Sequence, residues 1–368
     1  MVAGGAQRNT LLCAQYQHQI GHQVWLASGL ETGSEGSLWE ELAASPFEVV
    51  RIPSMVRELS PQQDLRALWQ LVSSLRRHRP QVLHTHTSKA GLLGRLAGLI
   101  CGVPVVVHTP HGHVFHSYFS KSKELLFKLL ERICFGWCDA GVMLSSGCLR
   151  DHLAEKVGLP QNLYVIPSGV PLERFFQAPN RPEGAPVVGY VGRLADIKGP
   201  LDLVEAFALV KETRPQARLL MVGDGPQRAE VEQRISRLQL QDSVTITGWQ
   251  EDTLPFLAQM RLLAVPSHNE GMGRVVVEAM AAGLPVVASR VGGLPDLITP
   301  GQNGWLARPK DPRDLCDHIA RLLDDPSQAE AMGQRGRERA HDFSDQVMFE
   351  RLEALYARLL SVKRNRVG

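Results

Sequence analysis

Short apolar runs rich in Val, Ile and Leu, each closing on glycine or a polar residue, alternate along the chain with longer stretches whose apolar residues recur every three or four positions. Repeated β–α–β units produce this alternation, because strands covered on both faces are apolar throughout while the helices between them are apolar on one side only. In the first half HQVWLAS, PQVLHTHT, PVVVHTP, DAGVMLS and LYVIPSG read as strands, with DLRALWQLVSSLRRH as an intervening helix. In the second half the strands are PVVGYVG, ARLLMVG, SVTITGW, RLLAVPS and PVVASRVGG, separated by the helices LDLVEAFALVKET, PQRAEVEQRISRLQL and RVVVEAMAAG. A last short strand at GWLA is followed by two or three helices, the final one amphipathic. The fold class is α/β, with two Rossmann-like, doubly wound domains.

The stretch FQAPNRPEGAP, residues 176–186, is rich in proline and polar residues and reads as the linker. The expected division is therefore a first domain over 1–175, a second over 187–343, and a closing helix over 344–368 that crosses back to the first domain. The opening MVAGGAQRNTLLCAQYQ passes from a Gly-Gly loop straight into a helix. A Rossmann unit has a buried, usually central strand ahead of that loop, so the first strand of the first domain is expected to be missing.

A length of 368 residues agrees with two domains, and 44% hydrophobic with 21% charged residues excludes general disorder. A net charge of +2 lacks the large Lys and Arg excess of polyanion binders, so nucleic acid is not an expected partner. The six cysteines are scattered without a C-x-x-C pair, and no signal-peptide pattern opens the chain; free thiols in the cytoplasm are expected. No apolar run reaches the roughly 18 residues of a membrane span, so any contact with the inner face of the cytoplasmic membrane would be peripheral.

Candidate chemistry concentrates in HNEGMGRVVVEAMAAGLPVVASRVGG, residues 268–293. The glycines of GMGR, following the strand LLAVPS, let a diphosphate approach the unpaired N–H groups and partial positive charge of a helix N-terminus. Glu270 lies just outside that helix, and Glu278 lies about five residues inside it, roughly 7 Å along the axis. Two carboxylates so spaced suit the two ends of a nucleotide sugar, Glu270 on the sugar and Glu278 on the ribose, since each accepts from vicinal hydroxyls. A pair of glutamates that only complements the helix dipole is the structural alternative. Arg193 and Lys198, in the loop after PVVGYVG, would neutralise the leaving diphosphate without a metal. The chain contains no Asp-x-Asp triplet, the commonest carboxylate device for holding a divalent ion on a nucleotide sugar, so no cofactor or metal is expected.

The segments GRLADIKG, VGDGP, TGW, PSHNEGMGRVVVEAMAAGLPVVAS and VGGLPDLI, in that order, resemble the retaining family 4 glycosyltransferases, and the resemblance covers nearly the whole chain. It implies the GT-B architecture, two Rossmann-like domains facing across a cleft, with the acceptor on the side of the first. It implies transfer of a sugar from a nucleotide-diphosphate sugar to a glycan or polyprenyl-linked acceptor with retention of configuration. By the same resemblance Glu270 contacts the donor sugar and Glu278 the ribose, Arg193 and Lys198 bind the diphosphate, and Gly271, Met272, Gly273, Arg274 and Val275 form the phosphate cradle. GGAQR matches the loop that closes over the donor, which carries over Gly4 and Gly5, and His111 in HTPHG matches the histidine that touches the donor sugar. HTHTSKAGLLGRLAG further resembles the bacterial branch that builds capsule, exopolysaccharide or O-antigen.

Ten of the thirteen histidines precede residue 153, and His108, His111, His113 and His116 crowd one loop without the spacing of a zinc site. His84 and His86 alternate at a strand end, where they line a crevice or satisfy buried hydrogen bonds. His86 and Lys89 are the acceptor-side candidates, Lys89 for an acceptor phosphate. Residues 113–137 interleave Phe115, Tyr118, Phe119, Phe127, Phe135 and Trp137 with Lys121, Lys123, Lys128 and Arg132. Such a helix docks on an anionic membrane, or is a core helix with a charged outer face. Two other readings remain: a nucleotide-sugar 2-epimerase of the same architecture, which would turn over donor without acceptor, and a binding protein without turnover.

Overall fold

The computed structural model of the protein describes residues 5–30, 37–56, 58, 60–111, 121–179 and 184–367. The chain divides into two compact units, Met1–Gly169 with Met348–Gly368, and Val170–Val347.

The first unit contains six parallel strands among its described residues: β1 (Trp25–Ser28), β2 (Glu48–Arg51), β3 (Val82–His86), β4 (Val105–Thr109), β5 (Ala140–Met143) and β6 (Leu163–Val165). One of them, β2, was not legible as a strand; FEVVRI alternates over only four residues and is half-exposed, too short to stand out from a loop. The six strands form two separate sheets, β1–β2 and β3–β4–β5–β6. No described strand precedes the helix Gly5–Gln19. In the strand order of a Rossmann unit, the strand leading into the first helix is the one that joins these two groups.

Helices join them instead. The helix Gly5–Gln19 puts Leu11 and Ala14 into a cluster with Leu26 of β1, while Cys13, Leu12 and Tyr16 pack with Val105 and Val107 of β4. The helix Pro61–His78 buries Ala67 against Ile52, next to β2, and against Leu93 of the helix Ser88–Cys101. Met348, Phe349, Leu352 and Leu355 of the last helix, Asp345–Val367, complete the β4–β5 core.

The second unit is one six-stranded parallel sheet in the order β12–β11–β10–β7–β8–β9. Its strands are β7 (Val187–Val191), β8 (Arg218–Val222), β9 (Val244–Ile246), β10 (Leu262–Val265), β11 (Val286–Ser289) and β12 (Gly304–Ala307). β10 and β11 are buried at every residue, as strands covered by helices on both faces must be.

The unit boundary falls earlier than the proline-rich stretch predicts. Val170 bridges to Ser344, Arg337 Nη2 donates to Phe176 O, and the Phe176 ring stacks on His341 at 4.3 Å, which anchors 170–176 within the second unit. Proline marks where regular backbone stops, whereas the boundary is set by which side chains pack. All six cysteines are free, with Cys13, Cys134 and Cys148 buried.

Candidate functional site

Strands β7 and β10 lie side by side in the second unit, and from them the chain winds outward in opposite directions, through β8 to β9 and through β11 to β12. In open parallel sheets ligands bind beyond the carboxyl ends of the strands at such a reversal. The loop leaving β7 carries Arg193 and Lys198, and the loop leaving β10 carries Ser267, His268 and Glu270.

These two loops are bonded to each other. Lys198 ends a short 3-10 turn, Asp196–Lys198, and its Nζ donates to Glu270 Oε2 at 2.5 Å; Ser267 Oγ donates to the same oxygen at 3.3 Å. Ser267 is buried, and the backbone N–H of His268 donates to Ile197 O at 2.9 Å. His268 Nε2 lies 2.7 Å from Asp202 Oδ2, in the first turn of the helix Pro200–Thr213. His268 and Ser267 therefore position Glu270, roles that sequence reasoning missed because both depend on a partner more than 60 residues away or on a turn geometry without a motif of its own.

On the other side the Arg193 loop is tied to VGDGP, where Leu194 N–H donates to Asp224 O at 2.9 Å. Arg193 itself is exposed, and its carbonyl accepts from Tyr190 Oη at 2.8 Å. Burial, followed by the charge of Glu270, pushes the Tyr190 hydroxyl well above its usual range, so it stays a donor.

The predicted cradle is a helix start. Gly273 caps the helix Arg274–Ala281 with φ 88°, a conformation that glycine adopts without steric cost. Met272 is buried, while Arg274 and Val275 are half-buried. Gly292 (φ 51°) passes so close that a Cβ there would fall 1.8 Å from Glu270 O, and Gly293 N–H donates to that carbonyl at 2.9 Å. The glycines of VGGLPDLI thus serve the Glu270 backbone, a role that only the packing reveals.

Glu278 lies about one turn into the helix Arg274–Ala281. Burial raises its carboxyl pKa, opposed in turn by Arg274, by Arg174 and by a hydrogen bond from Thr253. A half-buried carboxylate beside two guanidinium groups and a hydroxyl differs from the solvated glutamate of the structural alternative.

In the first unit His86 and His111 stand at the carboxyl ends of β3 and β4, with His86 Nδ1 and His111 Nε2 2.8 Å apart. Burial first, and neighbouring imidazoles second, hold His86 well below the usual histidine range, and burial brings His111 down to about 4. Lys89 does not present a free ammonium as the sequence suggested. It pairs with Asp64 Oδ1 at 2.5 Å and donates to Glu58 O, because the helices Pro61–His78 and Ser88–Cys101 pack side by side. Gly5 opens the first helix and is exposed; Gly4 lies outside the described residues. His113 and His116 also lie outside them, and among the described residues no group of three or more His, Cys, Asp or Glu side chains is arranged to hold a metal ion.

Comparison with known proteins places both halves of the chain. Residues 172–339 match the family profile described as Glycosyl transferases group 1, and residues 3–174 match Glycosyltransferase Family 4. The UDP-Gal:alpha-D-GlcNAc-diphosphoundecaprenol alpha-1,3-galactosyltransferase of Escherichia coli is 30% identical over 287 residues, 74% of each chain. The capsular polysaccharide biosynthesis glycosyltransferase CapM of Staphylococcus aureus is 25% identical over 86% of this chain and 87% of its own. Among solved structures, Anabaena HepE in complex with UDP and glucose superposes with a TM-score of 0.78 over 96% of each chain at 22% identity, which shows a shared fold.

Proposed function

The chain belongs to the family 4 glycosyltransferases and has their GT-B fold, and on that premise we propose that it transfers a hexose or N-acetylhexosamine from a UDP-sugar to a lipid-linked or glycan acceptor, with retention of configuration, in the assembly of cell-surface polysaccharide. One observation carries the reading: Lys198 and Ser267 both hold Oε2 of Glu270 at the mouth of a glycine-capped helix, where β7 and β10 reverse the winding of the sheet.

On this reading the diphosphate lies at the N-terminus of Arg274–Ala281, with Lys198 and Arg193 as the fixed cations that meet the charge developing on the leaving oxygen. Glu270 orients the sugar, and Oε1 is the oxygen that a ring hydroxyl would meet. Glu278 accepts from the ribose hydroxyls. By the family resemblance His111 is the histidine assigned to the donor sugar, and His86 Nδ1 lies 2.8 Å from its Nε2. The departing diphosphate, rather than a protein side chain, takes the proton of the acceptor hydroxyl. The E. coli and S. aureus relatives support the acceptor class by what they act on and build. No metal has a role in this scheme.

A panel of UDP, GDP and ADP with their common sugar conjugates tests the donor by thermal shift, since a ligand of the folded state raises the apparent Tm by mass action. UDP and one UDP-sugar are expected to raise it, and Glu278→Ala is expected to lose that rise while keeping the unliganded Tm within a few degrees. A shift with GDP or ADP conjugates alone would reassign the base.

We propose further that the helix Lys121–Phe135 rests on an anionic membrane. Leu125, Leu129 and Ile133, spaced by four, are 67%, 51% and 48% exposed and form an apolar stripe on the helix. Lys128 and Arg132, engaged by Glu155 through its carboxylate at 2.7 Å and its carbonyl at 2.8 Å, flank the stripe, so that apolar insertion and attraction to anionic headgroups act on the same helix. No helix among the described residues is long and apolar enough to cross a membrane. Vesicles containing phosphatidylglycerol are expected to pellet the protein at low salt, and Leu125→Glu with Leu129→Glu to abolish pelleting; equal pelleting of both proteins would exclude this helix as the anchor.

A further inference from the structure

Three imidazoles stand in a row at the carboxyl ends of β3 and β4. The ring centroids of His84 and His86 are 4.2 Å apart with planes at 29°, and those of His86 and His111 are 5.0 Å apart at 32°. The far end of the row is anchored twice. His84 Nδ1 lies 2.5 Å from Tyr356 Oη, on the helix Asp345–Val367, and His84 Nε2 lies 2.8 Å from Thr109 Oγ1. The backbone is strained at the same place: Thr87 and His111, which follow β3 and β4, have φ of 63° and 60°, and Thr87 N–H donates to Thr109 O at 3.1 Å. Non-glycine residues persist in that region only where the surroundings over-determine them, and such strain clusters at functional sites.

The bonds fix the protons of Tyr356 and His84, and the stack passes the constraint on to His86. Burial pushes the Tyr356 hydroxyl well above its usual range and brings His84 down to about 3, so the tyrosine is protonated and the imidazole neutral. Tyr356 Oη–H therefore donates to His84 Nδ1, and the only proton of His84 sits on Nε2 and donates to Thr109 Oγ1. With both nitrogens committed, the His84 ring cannot turn, and its face confines His86. His86 Nδ1 in turn occupies His111 Nε2.

We infer that Tyr356, Thr109, His84 and His86 are positioning residues that lock His111 into one ring orientation, in which Nε2 is held by His86 and Nδ1 is the ring nitrogen left to meet a ligand. The inference deepens the reading that His111 contacts the donor sugar and rests on it. Its chemical content is that His111 orients a hydroxyl by a hydrogen bond and does not act as a cation. Tyr356 gives the last helix a part in the chemistry, although it lies 245 residues beyond His111 and carries no motif.

The test needs a readout independent of turnover. In full-length protein labelled with ¹⁵N-histidine at pH 7, the ring nitrogens of His111 are expected to show one sharp set of neutral-imidazole shifts. Tyr356→Phe, which removes one oxygen, is expected to shift and broaden those signals as the His111 ring samples more than one orientation and to lower kcat on the order of tenfold, the cost of a small misplacement, with KM for the UDP-sugar changed less than twofold. His86→Leu is expected to do the same more strongly, and His86→Gln, which restores a hydrogen-bonding group toward His111, to recover most of the rate. Unchanged His111 shifts in both Tyr356→Phe and His86→Leu would overturn the inference, as would a loss that falls on KM alone. If the shifts change as expected while no nucleotide sugar binds the wild-type protein, the lock stands and the assignment of the donor fails.

Discussion

Lys198→Ala is expected to lower kcat by about 10²–10³-fold, the usual cost of removing one preorganised group aimed at charge that develops in the transition state. Lys198 is placed for that task by structure rather than by reach. Its short turn lies against the loop that follows β10, and its ammonium already holds Glu270 Oε2 at 2.5 Å. The lysine therefore acts twice, toward the diphosphate and on the carboxylate that orients the sugar. Glu270→Gln keeps the shape of the side chain but removes its charge, and should cost a similar factor. Because the two groups act as a unit, the double variant should be little worse than either single one. Initial rates of UDP release in the presence of acceptor would check this, and full additivity of the two losses would mean that the ion pair is incidental.

The second large effect concerns stability. Arg95 is fully buried, donates from Nη2 to both carboxylate oxygens of Glu131 at 3.0 Å and from Nε to Gly91 O at 2.9 Å, and lies over the Phe135 ring at 5.4 Å. It pins the helix Lys121–Phe135, which bears the exposed apolar stripe, to the helix Ser88–Cys101. Burial already raises the Glu131 carboxyl against the pull of Arg95, so removing the guanidinium leaves a carboxylate with no compensation. Arg95→Leu is expected to destabilise the protein by about 3–5 kcal/mol, as broken buried pairs do. For a unit of this size that corresponds to a fall in Tm of roughly 10 °C. Arg95→Leu with Glu131→Leu should recover most of it, since two apolar groups leave no stranded charge. Thermal denaturation of the two variants followed by circular dichroism distinguishes the cases: a double variant as unstable as the single one would locate the loss in packing rather than in charge.

What the sequence determined by itself is what local pattern and short-range chemistry can encode. Short apolar runs marked eleven of the twelve described strands, all but β2, whose four exposed or half-buried residues carry too little signal. The Gly-rich helix start with Glu270 and Glu278 was legible because glycine at a cap and carboxylates at fixed helical offsets are properties of one continuous segment.

The tertiary structure alone decided whatever depends on groups far apart in the chain. It brought Lys198 to Glu270 across 72 residues and Tyr356 to His84 across 272. It placed Asp64 against Lys89, which the sequence had offered to the acceptor. It assigned residues 170–176 to the second unit through their bonds to 337 and 344, and it left β1–β2 and β3–β6 as separate sheets joined by helices. A hydrogen bond needs about 3 Å and an orientation, and no spacing in the sequence specifies either for residues that only the packed core brings together.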